Sequence, residues 1–364
     1  MAEELAFLGN TAEFSEKRPL DVLVPAKNQR LRLKGVSCSF RTCQHPANSF
    51  VHLGNGIAMS CPELMFIELV RVMDPVVHLL LGMELCGRFS RSSDNPRFGM
   101  VAYDIEPVTS VERLRAYARE AHAVRGASQA LETIDRISEN AWSPMEAIIA
   151  ALAMLPLSIL GYDLWPIDLN PRKELGERLS ALSDAESRVP DIMFCGTGVG
   201  LNYDGEDHFR LFEVVQAAMA LERDPGNSDL VRELDEALEH ARAAIVSDKR
   251  RDRDLMSLGL SVFSMTKEDL AAKGGLDRVM GQIIEAIERS GSRSLLVQRA
   301  VLQDLSLAKA RQDLIWSLMP GPVSADARKR LEERSRQDRF GRHDYAITFE
   351  ARAGELTVIS TREL

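Results

Sequence analysis

The stretch from Ser143 to Leu160 constrains the fold more than any other part of the chain. Ser143 suits a helix N-cap, Pro144 suits the first helical position, and Glu146 at the third completes a capping box. Behind this start signal, from Ala147 to Leu160, every residue is apolar except Pro156 and Ser158. A helix that is apolar on all sides has no face to offer water, so it must be buried between other elements. The run is also too short for a bilayer, which needs about 20 such residues. No transmembrane helix is therefore expected.

At 364 residues the chain is long enough for two or three packed units. The apolar content of 45% supports a substantial core, and the 27% of charged residues gives an ordinary soluble surface. Five cysteines, an odd number spread thinly, fit a reducing compartment better than a disulfide framework. The start Met1-Ala-Glu-Glu-Leu carries no basic segment leading into an apolar core, so the chain reads as cytoplasmic. The balance of 45 basic against 54 acidic residues gives a net charge of −9. A protein that binds nucleic acid with its whole surface runs the other way, so any DNA contact must come from local basic patches.

Periodicity outlines the organisation. From Val22 to Pro62 there is no acid, while Lys27, Arg30, Arg32, Lys34 and Arg41 supply positive charge. Arg30-Leu-Arg-Leu-Lys and Ser49-Phe-Val-His-Leu alternate as short strands do, with turns at Asn28 and Gly54-Asn55-Gly56. Helical patterns follow over 62–88 and 110–139, the second capped by Ser110. A polar helix is expected near Lys173 to Leu182, then strands at Val189 to Phe194 and Val199 to Asp204. Leu211 to Ile245 reads as two helices broken at Asp224-Pro225-Gly226-Asn227. A buried strand is expected at Leu260 to Met265, with Thr266 capping the next helix. The tail from about 291 is helical and ends in a hairpin around Arg352-Ala353-Gly354. Alternation of strand and helix over 189–290 predicts an α/β domain, a mixed sheet flanked by helices, beside a smaller N-terminal α+β domain. The expected division is an extension at 1–20, an α+β domain at 21–140, an α/β domain at 141–290, and a helical extension with hairpin at 291–364.

The pair of strands at 189–204 carries the chemistry. If Gly196-Thr197 is the turn, Asp191 lies directly opposite Asn202, and Asn202 shares a face with Asp204. Directly opposed Cβ atoms sit about 5 Å apart and diagonal ones about 7–8 Å. Asp191, Asn202 and Asp204 are thus candidate ligands for one oxygen-ligated cation such as Mg²⁺ or Mn²⁺, with Glu146 able to complete the set.

These residues resemble a family. Ser143-Pro-Met-Glu146, Pro190-Asp191-Ile-Met-Phe and Leu201-Asn-Tyr-Asp204-Gly205-x-x-His208 occur in the order of the very-short-patch-repair-endonuclease-like branch of the PD-(D/E)XK nuclease superfamily. So does Asp248-x-x-Arg251-x-x-x-Leu255-x-x-x-Gly259-x-x-Val262. The resemblance covers roughly 141–270. It implies metal-dependent endonuclease activity on DNA, with Glu146, Asp191 and Asp204 at the metal and His208, Asp248 and Arg251 in support. A cation on Asp191 and Asp204 would activate water against a phosphodiester, and His208 would shuttle a proton. Lys249, Arg250 and Arg251 would bind phosphates. The sequence departs from the family at Asn202, where an acid is expected, and in an acidic helical insertion between His208 and Asp248. The basic strand segment, Met59-Ser-Cys-Pro-Glu63 leading into an apolar helix, and Arg113 to Ile137 give residues 21–140 a weaker resemblance to the region that follows the winged helix in abortive-infection type IV antitoxins, without the helix-turn-helix itself. The resemblances point to phage defence or mobile-element biology, and to DNA or a toxin as partner. The alternative they leave open is a catalytically decayed, antitoxin-like regulator that binds DNA or a partner.

Plainer readings stand beside each motif. Glu146 is explained by the capping box, Asp204-Gly205 by a strand-ending turn, and Lys249 to Arg253 by a helix surface interleaved with Asp248, Asp252 and Asp254. Cys38, Cys43, His45 and Cys61 lack the spacing of a standard zinc finger and read as scattered core cysteines. Oligomeric state is not legible in the sequence.

Overall fold

The computed structural model describes residues 15–16, 19–24, 26–40, 43–54, 57–92, 95–205, 211–319, 325–330, 333, 345–352 and 355–363. Strands β1 (Leu20–Leu23) and β2 (Val36–Ser39) pair in parallel, and β3 (Phe50–Gly54) and β4 (Ile57–Ser60) pair antiparallel. Arg30 to Lys34 belongs to no strand, against expectation. Burying an alternating segment with cations at every second position would strip those charges of water, and here all of it stays exposed. Helices α1 (Pro62–Leu69) and α2 (Pro75–Leu85) follow, then β5 (Phe89–Arg91) paired with β6 (Val101–Tyr103). Helix α3 (Val111–Glu120), capped by Ser110, and α4 (Ala127–Ile134) complete this part.

Helix α5 (Pro144–Met154) is buried along its whole length from Ala147, as its composition requires. It packs on α2 on one side and on β7 (Ile167–Leu169) on the other. The chain leaves it through a tight reversal at Gly161, where a Cβ would stand 2.0 Å from the Leu155 carbonyl oxygen, so only glycine fits.

The central sheet has four strands in the order β12, β11, β10, β7. β10 (Ile192–Phe194) is antiparallel to both β7 and β11 (Val199–Asp204), while β12 (Ser261–Thr266) runs parallel to β11. The fold is therefore mixed α/β. β12 is an outer strand and only partly buried, not the buried strand its apolar residues suggest. Where a polar helix is expected at 173–182, β8 (Lys173–Glu174) instead pairs with β9 (Ser187–Arg188) around a short helix α6 (Gly176–Ser180). The acidic insertion is a helical hairpin, α7 (Leu211–Arg223) and the long α8 (Ser228–Ser257), broken at the expected Pro-Gly turn. Helix α9 (Lys267–Ala271) starts at a capping box on Thr266 and Asp269. Helices α10 (Gly275–Arg289), α11 (Leu296–Gln303) and α12 (Leu305–Leu318) follow. The hairpin of β13 (Tyr345–Arg352) and β14 (Glu355–Glu363) packs against α11 and the turn after α5.

One contiguous apolar core runs from Cys61 to Met319. Within it, Asp277 on α10 accepts hydrogen bonds from the Tyr162 hydroxyl at 2.6 Å and from Arg311 Nε of α12 at 2.7 Å. Arg311 is fully buried and also lies over the Tyr162 ring. Desolvation pushes the Tyr162 hydroxyl well above its ordinary pKa, so it stays a proton donor to Asp277. No helix among the described residues is long and apolar enough to cross a membrane.

Candidate functional site

The end of the β10–β11 pair is built by an exchange of side-chain and backbone bonds. Register places Ile192 opposite Leu201, so Asp191 and Asn202 form the next pair, as the sequence suggests. The strands leave Cys195 to Gly198 between them, as expected, centred on Gly196-Thr197, and the register is the expected one. Asp191 N–H donates to Asn202 Oδ1 at 3.1 Å, and Tyr203 N–H donates to Asp191 Oδ2 at 2.6 Å. The two side chains thus replace ladder bonds where the strands splay.

Asn202 is fully buried, and its Nδ2 has no hydrogen-bond partner among the described residues. Asp204, also buried, lies 3.6 Å from Arg251 Nη2, which is 2.5 Å from Asp248 Oδ1. Burial raises the Asp191 pKa to about 7, with further upward pushes from Glu146 and Asp204, against lowering by the Tyr203 N–H and by Arg251. Four of the residues singled out in the sequence (Glu146, Asp191, Asp204 and Arg251) therefore share one electrostatic neighbourhood.

Glu146 departs from the capping-box expectation in a specific way. Ser143 Oγ does accept the Glu146 N–H at 3.2 Å. The returning carboxylate does not reach the Ser143 N–H; it accepts from Trp142 N–H at 3.0 Å and from Asn170 Nδ2 at 2.8 Å. Asn170 is a site residue that the sequence pattern does not reveal as one. Its N–H donates to the Asp191 carbonyl at 2.8 Å and its Nδ2 also reaches the Asn140 carbonyl, so it ties β7, Asp191 and α5 together. Asn140 and Asn170 both adopt left-handed backbone, which asparagine tolerates better than most residues. The signal was the Asn170-Pro171 turn pair.

The expected phosphate-binding cations are each engaged with an acid. Lys249 is 3.3 Å from Asp252, Arg250 is 2.9 Å from Asp184, and Arg251 holds Asp248. His208 lies outside the described residues.

A hard cation needs several oxygen ligands free to turn toward it. Among the described residues, no group of three or more His, Cys, Asp and Glu side chains is arranged to hold a metal ion. The chemistry of the donors agrees. Asp191 Oδ2 is taken by Tyr203, Glu146 Oε2 by Trp142 and Asn170, and a guanidinium faces Asp204. Asn202 directs its oxygen to Asp191 and contributes no charge. In this arrangement the residues do not fit Mg²⁺ or Mn²⁺. Of the cysteine group, Cys61 Sγ caps α1 by accepting the Leu64 N–H, and Cys38 Sγ bonds the Leu31 backbone.

No family model, no curated protein and no solved structure matches this chain.

Proposed function

We propose that this chain acts by binding and not by hydrolysis, as a PD-(D/E)XK-like protein whose site has decayed into a structural one. The partner is DNA or a protein of a defence system such as a toxin, and the role is that of an antitoxin-like regulator. The observation that carries this reading is Asn202, a buried neutral amide at the position where the resembled nucleases keep an acid. A carboxylate there adds a full charge to a cation site, and ligand charge sets affinity for hard cations. Arg251 supports the same reading, since its guanidinium is largely buried between Asp248 and Asp204 and so is committed within the fold.

The endonuclease reading keeps one observation in its favour: Glu146 and Asp204 both act electrostatically on Asp191, and the three occur in the order found in the nucleases. Supercoiled plasmid incubated with Mg²⁺ or Mn²⁺ separates the two. The expected result is no nicking by the wild type, with Asp191→Ala run beside it. Nicking by the wild type that disappears in Asp191→Ala would establish a nuclease and overturn the binding reading.

A further inference from the structure

We propose that Lys27, Arg30 and Arg32, with Phe40 beneath the first two, form the surface that receives the phosphate backbone of a nucleic acid. This rests on the DNA-binding form of the reading above and places its contact on the opposite half of the chain from the nuclease-like motifs. The ammonium of Lys27 and the guanidinium of Arg30 lie over the same Phe40 ring, at 5.2 Å and 5.3 Å from its centre. Two like charges are thereby held within roughly a Debye length of each other. Among the described residues, the contact that compensates them is with the ring's quadrupole.

Among the described residues, nothing acidic relieves that repulsion. No Asp or Glu occurs from Val22 to Pro62, and Lys27, Arg30 and Arg32 form no ion pair with any described residue. Lys34 has one contact, 3.8 Å to the exposed Glu16, of the kind that contributes little. Every residue from Lys27 to Lys34 is exposed. The contrast with Lys249 and Arg250, closed onto Asp252 and Asp184, is direct. A set of close cations with no acid partner among the described residues is stabilised by an incoming anion.

The overall charge of −9 decides which anion. A lipid bilayer is broad and would meet the acidic remainder of the surface as well as this strip. A nucleic-acid strand is narrow, presents phosphates in series, and can touch the strip alone. Its bases can also stack on an aromatic ring that cations already flank.

The test is fluorescence anisotropy of a labelled oligothymidine and a mixed-sequence duplex, titrated with the full chain between about 50 and about 200 mM salt. The wild type is expected to bind, and the triple variant Lys27→Gln, Arg30→Gln, Arg32→Gln to bind at least about tenfold more weakly at low salt. Its log–log salt slope should shrink by roughly 0.7–0.9 for each phosphate that the removed cations neutralise in the wild type. Phe40→Leu, which keeps every charge, should weaken the single strand more than the duplex. Lys249→Gln with Arg250→Gln should leave both affinities unchanged. Because the three cations are exposed, an unaltered circular dichroism melt confirms the triple variant is folded. Wild-type binding that the triple variant retains would overturn this surface and spare DNA binding. No binding of either oligonucleotide by the wild type would overturn both. Charge-dependent binding only to phosphatidylserine vesicles would overturn the nucleic-acid assignment in favour of a membrane.

Discussion

Asp191 and Asn202 are bound to each other through the main chain of one and the side chain of the other: the Asp191 N–H rests on Asn202 Oδ1 at 3.1 Å. The acid's own carboxylate then reaches one residue further, to the Tyr203 N–H. Asn202→Asp keeps an oxygen for Asp191 but adds a buried charge beside Asp191, Glu146 and Asp204. The variant is expected to lose about 1–3 kcal/mol at pH 8, read by urea denaturation. Added Mg²⁺ should raise its melting temperature while leaving the wild type unmoved, since the variant adds a fourth carboxylate to Asp191, Glu146 and Asp204, and ligand charge sets affinity for hard cations. A wild-type melt that rises with Mg²⁺ would count against the binding reading.

The titration of Asp191 sets a pH dependence. Its pKa in the fold is about 7, above the ordinary carboxyl value of 3.8. The folded chain therefore holds this proton more tightly than the unfolded chain does. The stability it contributes is complete below about pH 4 and is lost as pH rises through about 7. Asp191→Asn should flatten this part of the stability profile and melt on the order of a few degrees higher than wild type at pH 8. Parallel profiles for the two proteins between pH 4 and pH 8 would show that the carboxyl is not desolvated.

At Gly200 the constraint is steric. A Cβ there would meet Met193 Sδ at 2.4 Å and the Ile192 carbonyl oxygen at 2.7 Å. The sulfur can swing away, but the carbonyl belongs to the strand that carries Asp191. Gly200→Ala is expected to cost about 1–3 kcal/mol in chemical denaturation, in the range of overpacked cores. Amide exchange at Tyr203 should quicken if the β10–β11 pair is pushed apart.

The Asp277–Arg311 pair is the most buried ionic contact described. Arg311→Met leaves Asp277 without its cation and should cost about 3–5 kcal/mol. Pairing it with Asp277→Asn should recover part of that loss. Additive losses in the double-mutant cycle would mean the two side chains do not act on each other.

What was legible in the sequence follows from local chemistry. Ser110, Ser143 and Thr266 announce helix starts because an N-cap needs only its own hydroxyl and the next turn. The pairing of Asp191 with Asn202 is readable because a turn centred on Gly196-Thr197 fixes the register of the two strands it joins. What escaped depends on distant partners. Asn170 matters because Glu146, Asn140 and Asp191 converge on it from three places in the chain. Lys249 to Arg251 look like a phosphate strip until Asp184, remote in sequence, closes on Arg250. Glu146 fits a capping box until its carboxylate is seen to turn away from Ser143.

The contact of Tyr162, Asp277 and Arg311 bears on how the molecule can be divided. It joins the turn after α5, the helix α10 and the helix α12, so it spans residue 290, where the chain reads as changing from one unit to the next. A fragment of 141–290 would carry Asp277 into its interior with no counter-charge, and would bare the apolar face that α11 and α12 cover. The tail is therefore a wall of the α/β part, not an appendage. Dissection of this protein has no clean seam there, and biochemistry on that region belongs to the whole chain.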